Sequence, residues 1–251
     1  VINIKGYILG VSRFSESSAV ISIFSETHGR FSGLARGAYR RGSMFAGALE
    51  LFALCEFTVS MRKNREIQTL TGCTIMEYYS NIRNDAGRIA AAEIAIELIR
   101  RTVHDGEPLS SLYALLNAFF ERLNKKVDYT PDWLIRMSWL FVLHFLKVMG
   151  FAPELKRCVR CGESELKGLT AVSPLLGGVL CSRCGVGLDT VRWIQCETLE
   201  RISKLYASKA GELEQFPEIE KKLMDNLITD FLKVHFEKDF KLESLSMLYR
   251  L

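Results

Sequence analysis

Residues 158–185 read CVRCGESELKGLTAVSPLLGGVLCSRCG, so Cys158-x2-Cys161 and Cys181-x2-Cys184 stand nineteen residues apart. That spacing is typical of paired zinc knuckles. One CxxC turn aims two sulfurs at a single point, and two such turns supply a tetrahedron. Thiolates suit a borderline-soft ion such as Zn2+. Four of them fill the shell and leave no position for water, so the expected metal role is structural. An iron centre of the same tetrahedral type is the main rival. Gly162 and Gly185 each follow a second cysteine, where a tight turn at positive φ is expected. Backbone N–H groups in those turns are expected to bond the sulfurs. Zinc deaminases also use CxxC, but with proline before it; here Arg157 and Leu180 hold those places. Redox chemistry would have to recruit both pairs together.

Outward from the cysteines the sequence changes character on both sides. Residues 151–187 are Gly-, Cys- and Arg/Lys-containing with little periodicity, whereas both flanks read as helix. Upstream, Ile89, Ile94, Ile96, Leu98 and Ile99 lie in an Ala/Glu-rich run that Gly106–Pro108 breaks. Leu112, Leu115, Leu116, Phe119, Phe120 and Leu123 then repeat near the helical period over Leu109–Lys126. Thr130 is expected to cap a helix with Pro131 at its first position, running to Gly150. Downstream, Leu223, Leu227, Ile228, Phe231, Leu232 and His235 share one stripe of a helix expected to start at Pro217. The cysteine segment is thus expected to be embedded between helices of one domain.

Residues 1–80 read as strands: Val1–Val11, Ser18–Phe24, Phe31–Ala35, Leu51–Met61 and Ile67–Ile75. Ser15–Ser17, His28–Gly29 and Lys63–Asn64 are the turn candidates. About five closely spaced strands suggest a small barrel, and an OB-fold fits that count. The Gly-, Ala- and Arg-rich stretch within Gly33–Gly47 is expected to be a long loop. The expected class is α+β multidomain: an OB-fold nucleic-acid-binding domain at 1–80, a helical domain at 81–150 and 188–251, and a four-cysteine zinc finger at 151–187.

The 251-residue chain is 48% apolar and 25% charged, an ordinary globular balance. Its net charge is only +4, but the excess is local. Residues 1–83 hold ten Lys/Arg against six Asp/Glu, and residues 151–187 five against three. Residues 188–251 hold ten against twelve. Seven cysteines, four in CxxC pairs, point to metal binding in a reducing compartment. Cys55, Cys73 and Cys196 lie among apolar residues and are expected to be small buried hydrophobes. Val1–Lys5 carries no basic n-region, and Met137–Met149 is too short to span a bilayer and carries His144 and Lys147. A cytoplasmic protein without a membrane partner is expected.

Two basic clusters lie in the N-terminal region. Arg36, Arg40 and Arg41 surround Tyr39, and Arg62, Lys63 and Arg65 sit at a hairpin. Backbone phosphates require positive charge, and bases stack on Tyr or Arg planes. Arg157, Arg160 and Arg183 flank the knuckles and either touch nucleic acid or balance thiolate charge. His28, His104, His144 and His235 share no spacing and receive no ligand or catalytic role. Phosphate-loop, GxSxG and HExxH patterns are absent. Glu218 and Glu220 belong to a solvated helix face.

Taken together, these pieces resemble the RecO family. Gly6-Tyr7-Ile8-Leu9, Arg13, Glu16, Ile23-Phe24 and Gly29 look like its first strands. Ala35-Arg36-Gly37-Ala38 with Ser43 resembles its "ARGA…S" loop, although Tyr39 and Met44 flank the basic run differently. Phe151, Pro153, the two CxxC units and Gly177-Gly178 are similar to its zinc segment. His235-Phe236 and Lys241-Leu242-Glu243-Ser244 look like its terminal helix motif. The resemblance spans nearly the whole chain. It implies a non-enzymatic mediator of recombination in DNA repair that uses no ATP. Such a protein binds single- and double-stranded DNA and anneals complementary strands. It contacts the acidic C-terminal tail of single-stranded-DNA-binding protein, and with RecR it helps load RecA, placing it at the nucleoid. Lys5, Arg13, Arg36, Arg40, Arg41, Arg62, Lys63 and Arg65 are then the expected phosphate contacts and Tyr39 the stacking face. The rival reading is a zinc-ribbon scaffold or RNA-binding accessory protein that lacks annealing activity.

Overall fold

The computed structural model describes residues 1–63 and 65–251. Asn64, half of the expected Lys63–Asn64 turn, lies outside the described residues. The chain forms two compact units, Val1–Val127 and Asp128–Leu251.

In the first unit five strands close a barrel in the order β1-β2-β3-β5-β4. They are β1 (Ile2–Arg13), β2 (Ala19–Ser25), β3 (Gly29–Ala35), β4 (Leu54–Ser60) and β5 (Ile67–Glu77). This is the expected OB-type barrel. Closure rests on β1, whose first half pairs β4 and whose second half pairs β2. A register shift between Ile8 and Gly10 bends the strand so that it can serve both. The parallel pairing of β3 with β5 completes the ring. Alternation sorts the side chains: Ile21, Ile23 and Phe31 point inward to meet Ile4, Ile8, Phe57, Val59 and Leu70. Val20, Ser22, Ser32 and Leu34 face out, half-buried. β4 begins at Leu54 rather than Leu51, because Phe52 adopts φ 70°, which no strand can hold.

Three helices follow on the same unit: α1 (Ser80–Arg83), α2 (Ala86–Thr102) and α3 (Ser110–Lys125). Tyr7 joins barrel and helices. Its hydroxyl donates to Asn117 Oδ1 at 2.6 Å and lies 3.0 Å from the Tyr79 hydroxyl, while its ring meets Phe120 edge-on. Arg88, buried, donates to the carbonyls of Leu123 (2.8 Å) and Lys126 (2.7 Å), satisfying the open C-terminal end of α3.

In the second unit α4 (Pro131–Val148) starts as expected, with the Thr130 hydroxyl accepting from the Trp133 N–H at 3.2 Å. The segment that lacked periodicity contains regular strands. It holds a three-stranded sheet, β7-β6-β8, of β6 (Leu169–Ser173), β7 (Gly178–Leu180) and β8 (Arg192–Gln195), with the short turn of helix α5 (Ser182–Gly185). Strands of three to five residues are too short to show a period. α6 (Cys196–Ala207), a 3-10 turn (Ala210–Gln215), α7 (Lys221–His235) and α8 (Glu243–Leu248) complete the unit. The helix expected to begin at Pro217 begins at Lys221, and Met224 takes the buried place expected of Leu223. One face of the sheet, with Val172 and Ile194, faces the apolar side chains of α4, α6 and α7. Arg192 on that face forms an ion pair with Asp230 of α7 at 2.6 Å. The other face, with Ala171 and Leu180, covers the cysteines. Among the described residues no helix is long and apolar enough to cross a membrane.

Candidate nucleic-acid interface and metal centre

The candidate metal centre is assembled by backbone pairing. The Val159 N–H donates to Val179 O, and the Val179 N–H to Glu154 O, both at 2.9 Å, which ties the first knuckle to β7. The second knuckle, α5, directly follows β7. The donor atoms of Cys158, Cys161, Cys181 and Cys184 all lie within 4.8 Å of one another, with Cys161 Sγ and Cys181 Sγ 3.8 Å apart. Tetrahedral metal–sulfur bonds of about 2.3 Å demand sulfur separations of about 3.8 Å, so the donor set fits such an ion. Burial would raise the Cys158 thiol, but N–H groups of Cys181, Cys161 and Arg160 outweigh it and bring it down to about 6. Cys184 moves the other way, to about 12, through its bond to Cys181, its burial and its other sulfur neighbours. The four sulfurs could hold a metal ion.

Gly162 adopts φ +79°, as its place after the knuckle suggests. Gly185 does not. A side chain there would come within 2.7 Å of Ala171 Cβ and 2.9 Å of Trp193 Cη2, so close packing, not φ, requires glycine. Cys55 and Cys196 are buried and Cys73 half-buried, apart from the cluster. Contrary to the expectation that no histidine begins the deaminase triplet His-x-Glu, the chain spells it at His235-Phe236-Glu237. The His235 ring stacks on Phe151 at 4.3 Å and bonds the Pro174 carbonyl, so it serves packing.

On the barrel, the chain from Arg36 to Ala53 is a loop anchored from within. Ala38, Phe45 and Ala53 enter the barrel core, which leaves Arg36, Tyr39, Arg40 and Arg41 exposed. The Tyr39 N–H donates to Ser17 O at 3.1 Å, drawing the loop against the β1–β2 turn. Arg13, the last residue of β1, stands over the Tyr39 ring, Cζ to centroid 5.4 Å, and donates to Glu16 O at 3.1 Å. The structure therefore brings Arg13, Arg36, Tyr39, Arg40 and Arg41 to one end of the barrel.

The second cluster has a different support. Gln68, buried, accepts from the Arg62 N–H at 2.8 Å and donates to Arg62 O and Arg65 O at 3.2 and 2.7 Å. One side chain thus shapes the turn that exposes Arg62, Lys63 and Arg65. Pairing of Ser32 with Ile67 makes this turn emerge beside Ser32. An open groove on the outer face of β1–β3 is lined by Gly10, Ser12, Ser22 and Ser32 and reaches Arg100. Glu50 also lines it, but is paired with Arg83 at 3.1 Å. Lys5 stands apart, opposite Glu56 on the β1–β4 pairing.

Two residues of this surface were missed. Phe14 is 61% exposed beside Arg13, and its signal was an aromatic residue in a Ser-rich turn. Arg100 has no local signal, because only the packing of α2 on the barrel brings it to the groove.

Residues 1–79 match the family described as "Recombination protein O N terminal", and residues 83–244 match "Recombination protein O C terminal". A protein named DNA repair protein RecO from Anaeromyxobacter sp. (strain K) is 30% identical over 204 residues, 81% of this chain and 78% of that one. Another of that name, from Acetivibrio thermocellus, is 27% identical over 252 residues, 98% of this chain and 97% of that one.

Proposed function

The chain belongs to the recombination protein O family, whose role is in DNA repair and recombination, and from that premise we propose that it is a non-enzymatic mediator that binds and anneals DNA. The observation that carries this reading is the anchored loop. Phe45 holds it in the barrel core while Tyr39 and three arginines remain outside. Arg13, Arg36, Arg40 and Arg41 neutralise phosphates at one end of the groove, and Arg62, Lys63 and Arg65 do so at the turn beside Ser32. Lys5 adds long-range attraction from the β1–β4 side. Tyr39 and Phe14 offer stacking faces, and the small residues of the groove floor let a strand lie close.

The same reading assigns structural zinc to the four thiolates, since a filled tetrahedral sulfur shell supplies folding energy and no reactive water. It takes the barrel as the nucleic-acid-binding domain and the zinc finger as an element embedded between helical segments. Its partners are single- and double-stranded DNA, the tail of single-stranded-DNA-binding protein, RecR and, through loading, RecA, in a nucleoid-associated cytoplasmic setting.

The test is annealing of complementary oligonucleotides coated with single-stranded-DNA-binding protein, either intact or without its tail, across a salt series. Fast, salt-sensitive, tail-dependent annealing supports the reading. No annealing by folded, metal-loaded protein overturns it in favour of a zinc-ribbon scaffold. In the same assay R40E/R41E lowers DNA affinity about tenfold and flattens the salt slope. Unchanged affinity in that folded variant removes the loop from the interface.

A further inference from the structure

The metal-bearing sheet exposes an aromatic residue that the reading above does not use. Trp133 and Trp139 are 3% and 2% exposed, whereas Trp193 is 38% exposed. Trp193 pairs with Ala171 across β6 and β8, on the sheet face that covers the cysteines. Its indole rim rests on Gly185, where a Cβ would approach Cη2 to 2.9 Å and Cζ2 to 3.3 Å. The ring is thus braced against the second knuckle. The cations of the knuckles gather at the same turn. Arg160 reaches across from the first knuckle and donates to Cys184 O at 3.3 Å, one residue from Gly185. Arg183 is exposed within the turn itself.

Charge pairing leaves these cations available. Arg157 is paired with Glu154 at 3.4 Å and Lys167 with Glu165 at 3.2 Å. Lys156, Arg160 and Arg183 have no carboxylate partner among the described residues. Within residues 151–195 Glu163 and Asp189 are the carboxylates outside those pairs and the Arg192–Asp230 pair, against Lys156, Arg160 and Arg183, so that segment is net positive.

We propose that Trp193, Arg160 and Arg183 form a second single-stranded DNA contact on the zinc-bearing segment, with a base stacked on the indole and phosphates on the two guanidinium groups. An exposed indole braced at its rim offers a stacking surface to any base, and arginines on the adjoining turn set phosphates beside it. The two knuckles bring Arg160, through its bond to Cys184 O, and Arg183 to the turn whose Gly185 meets the indole rim. This inference rests on the DNA-binding reading above and extends it to a site outside the barrel.

The full-length, metal-loaded protein provides its own probe, because Trp193 is its one exposed tryptophan. Oligothymidylate is titrated while tryptophan emission and the anisotropy of a labelled oligonucleotide are followed together. The expected result is quenching that tracks the anisotropy change and disappears in W193F, which keeps a ring at the site but removes the emitter. R160Q/R183Q, with metal content and melting checked, lowers affinity about tenfold and the salt slope by about 1.4, the value for two single-strand phosphate contacts. R183Q alone, which leaves the Arg160 bond to Cys184 intact, lowers the slope by about half that. Binding by anisotropy with no change in Trp193 emission, and an unchanged slope in R183Q, overturns this contact and leaves the barrel interface standing. Absence of binding by both signals overturns the two readings together. Quenching by oligouridylate but not by oligothymidylate overturns the DNA assignment and makes the ligand RNA.

Discussion

At the scale of single residues, the same amino acid takes different work according to what surrounds it. Gly162 supplies a backbone angle and Gly185 supplies room, although both follow the second cysteine of a knuckle. The CxxCG repeat therefore revealed two glycines but not their reasons, since contacts with Ala171 and Trp193 come from other strands. His235 shows the same dependence. It was legible as part of an apolar stripe, and the structure leaves it half-buried against Phe151. Burial lowers its pKa, partly opposed by the bond to the Pro174 carbonyl. Its Nε2 has no hydrogen-bond partner. The folded state therefore prefers the neutral ring, while the unfolded chain takes up a proton at about pH 6.5. The stabilisation is complete above that pH and is lost as pH falls toward the lower folded value. Urea unfolding from pH 7.5 downward should show stability falling by at most about 1.4 kcal/mol per pH unit in that window. H235F should lack this component; an identical pH dependence in H235F would assign it to other groups.

At the scale of elements, capping and alternation were readable because they are local. Thr130-Pro131 marked the start of α4, and alternation in Ser18–Phe24 marked β2. Elements shaped by side chains from elsewhere were not. Pro217 resembles a helix start, yet α7 begins at Lys221. The β4–β5 turn was legible from its basic residues, but its support by Gln68 was not, because polarity and position alone mark Gln68 as a surface residue. Q68L should preserve the barrel and cost about 1–3 kcal/mol, since Gln68 makes three hydrogen bonds to the turn. The Arg62 amide should exchange faster in hydrogen-exchange measurements. A Q68L protein with unaltered exchange there would show that the turn holds its shape unaided.

At the scale of the whole molecule, the four-cysteine cluster ties metal binding to folding if the proposed zinc occupies it. Strands β6 to β8 are short, and one of their faces packs on the sulfur cluster. Chelation should therefore release protection from hydrogen exchange in β6–β8 and α5 while β1–β5 keep theirs. Retained protection throughout would mean that the sheet stands on its contacts with the helices alone. The sequence by itself determined the four sulfurs, the strand-rich and helix-rich regions, and both basic clusters, because each depends on spacing or composition within a short window. Only the tertiary structure decided that the Arg36–Arg41 loop is pinned by Phe45, that Arg100 reaches the barrel groove, and that Trp193 stands exposed against the second knuckle. Those placements arise from strand register and packing between distant segments, and no local pattern encodes which face of a strand or helix another segment will cover.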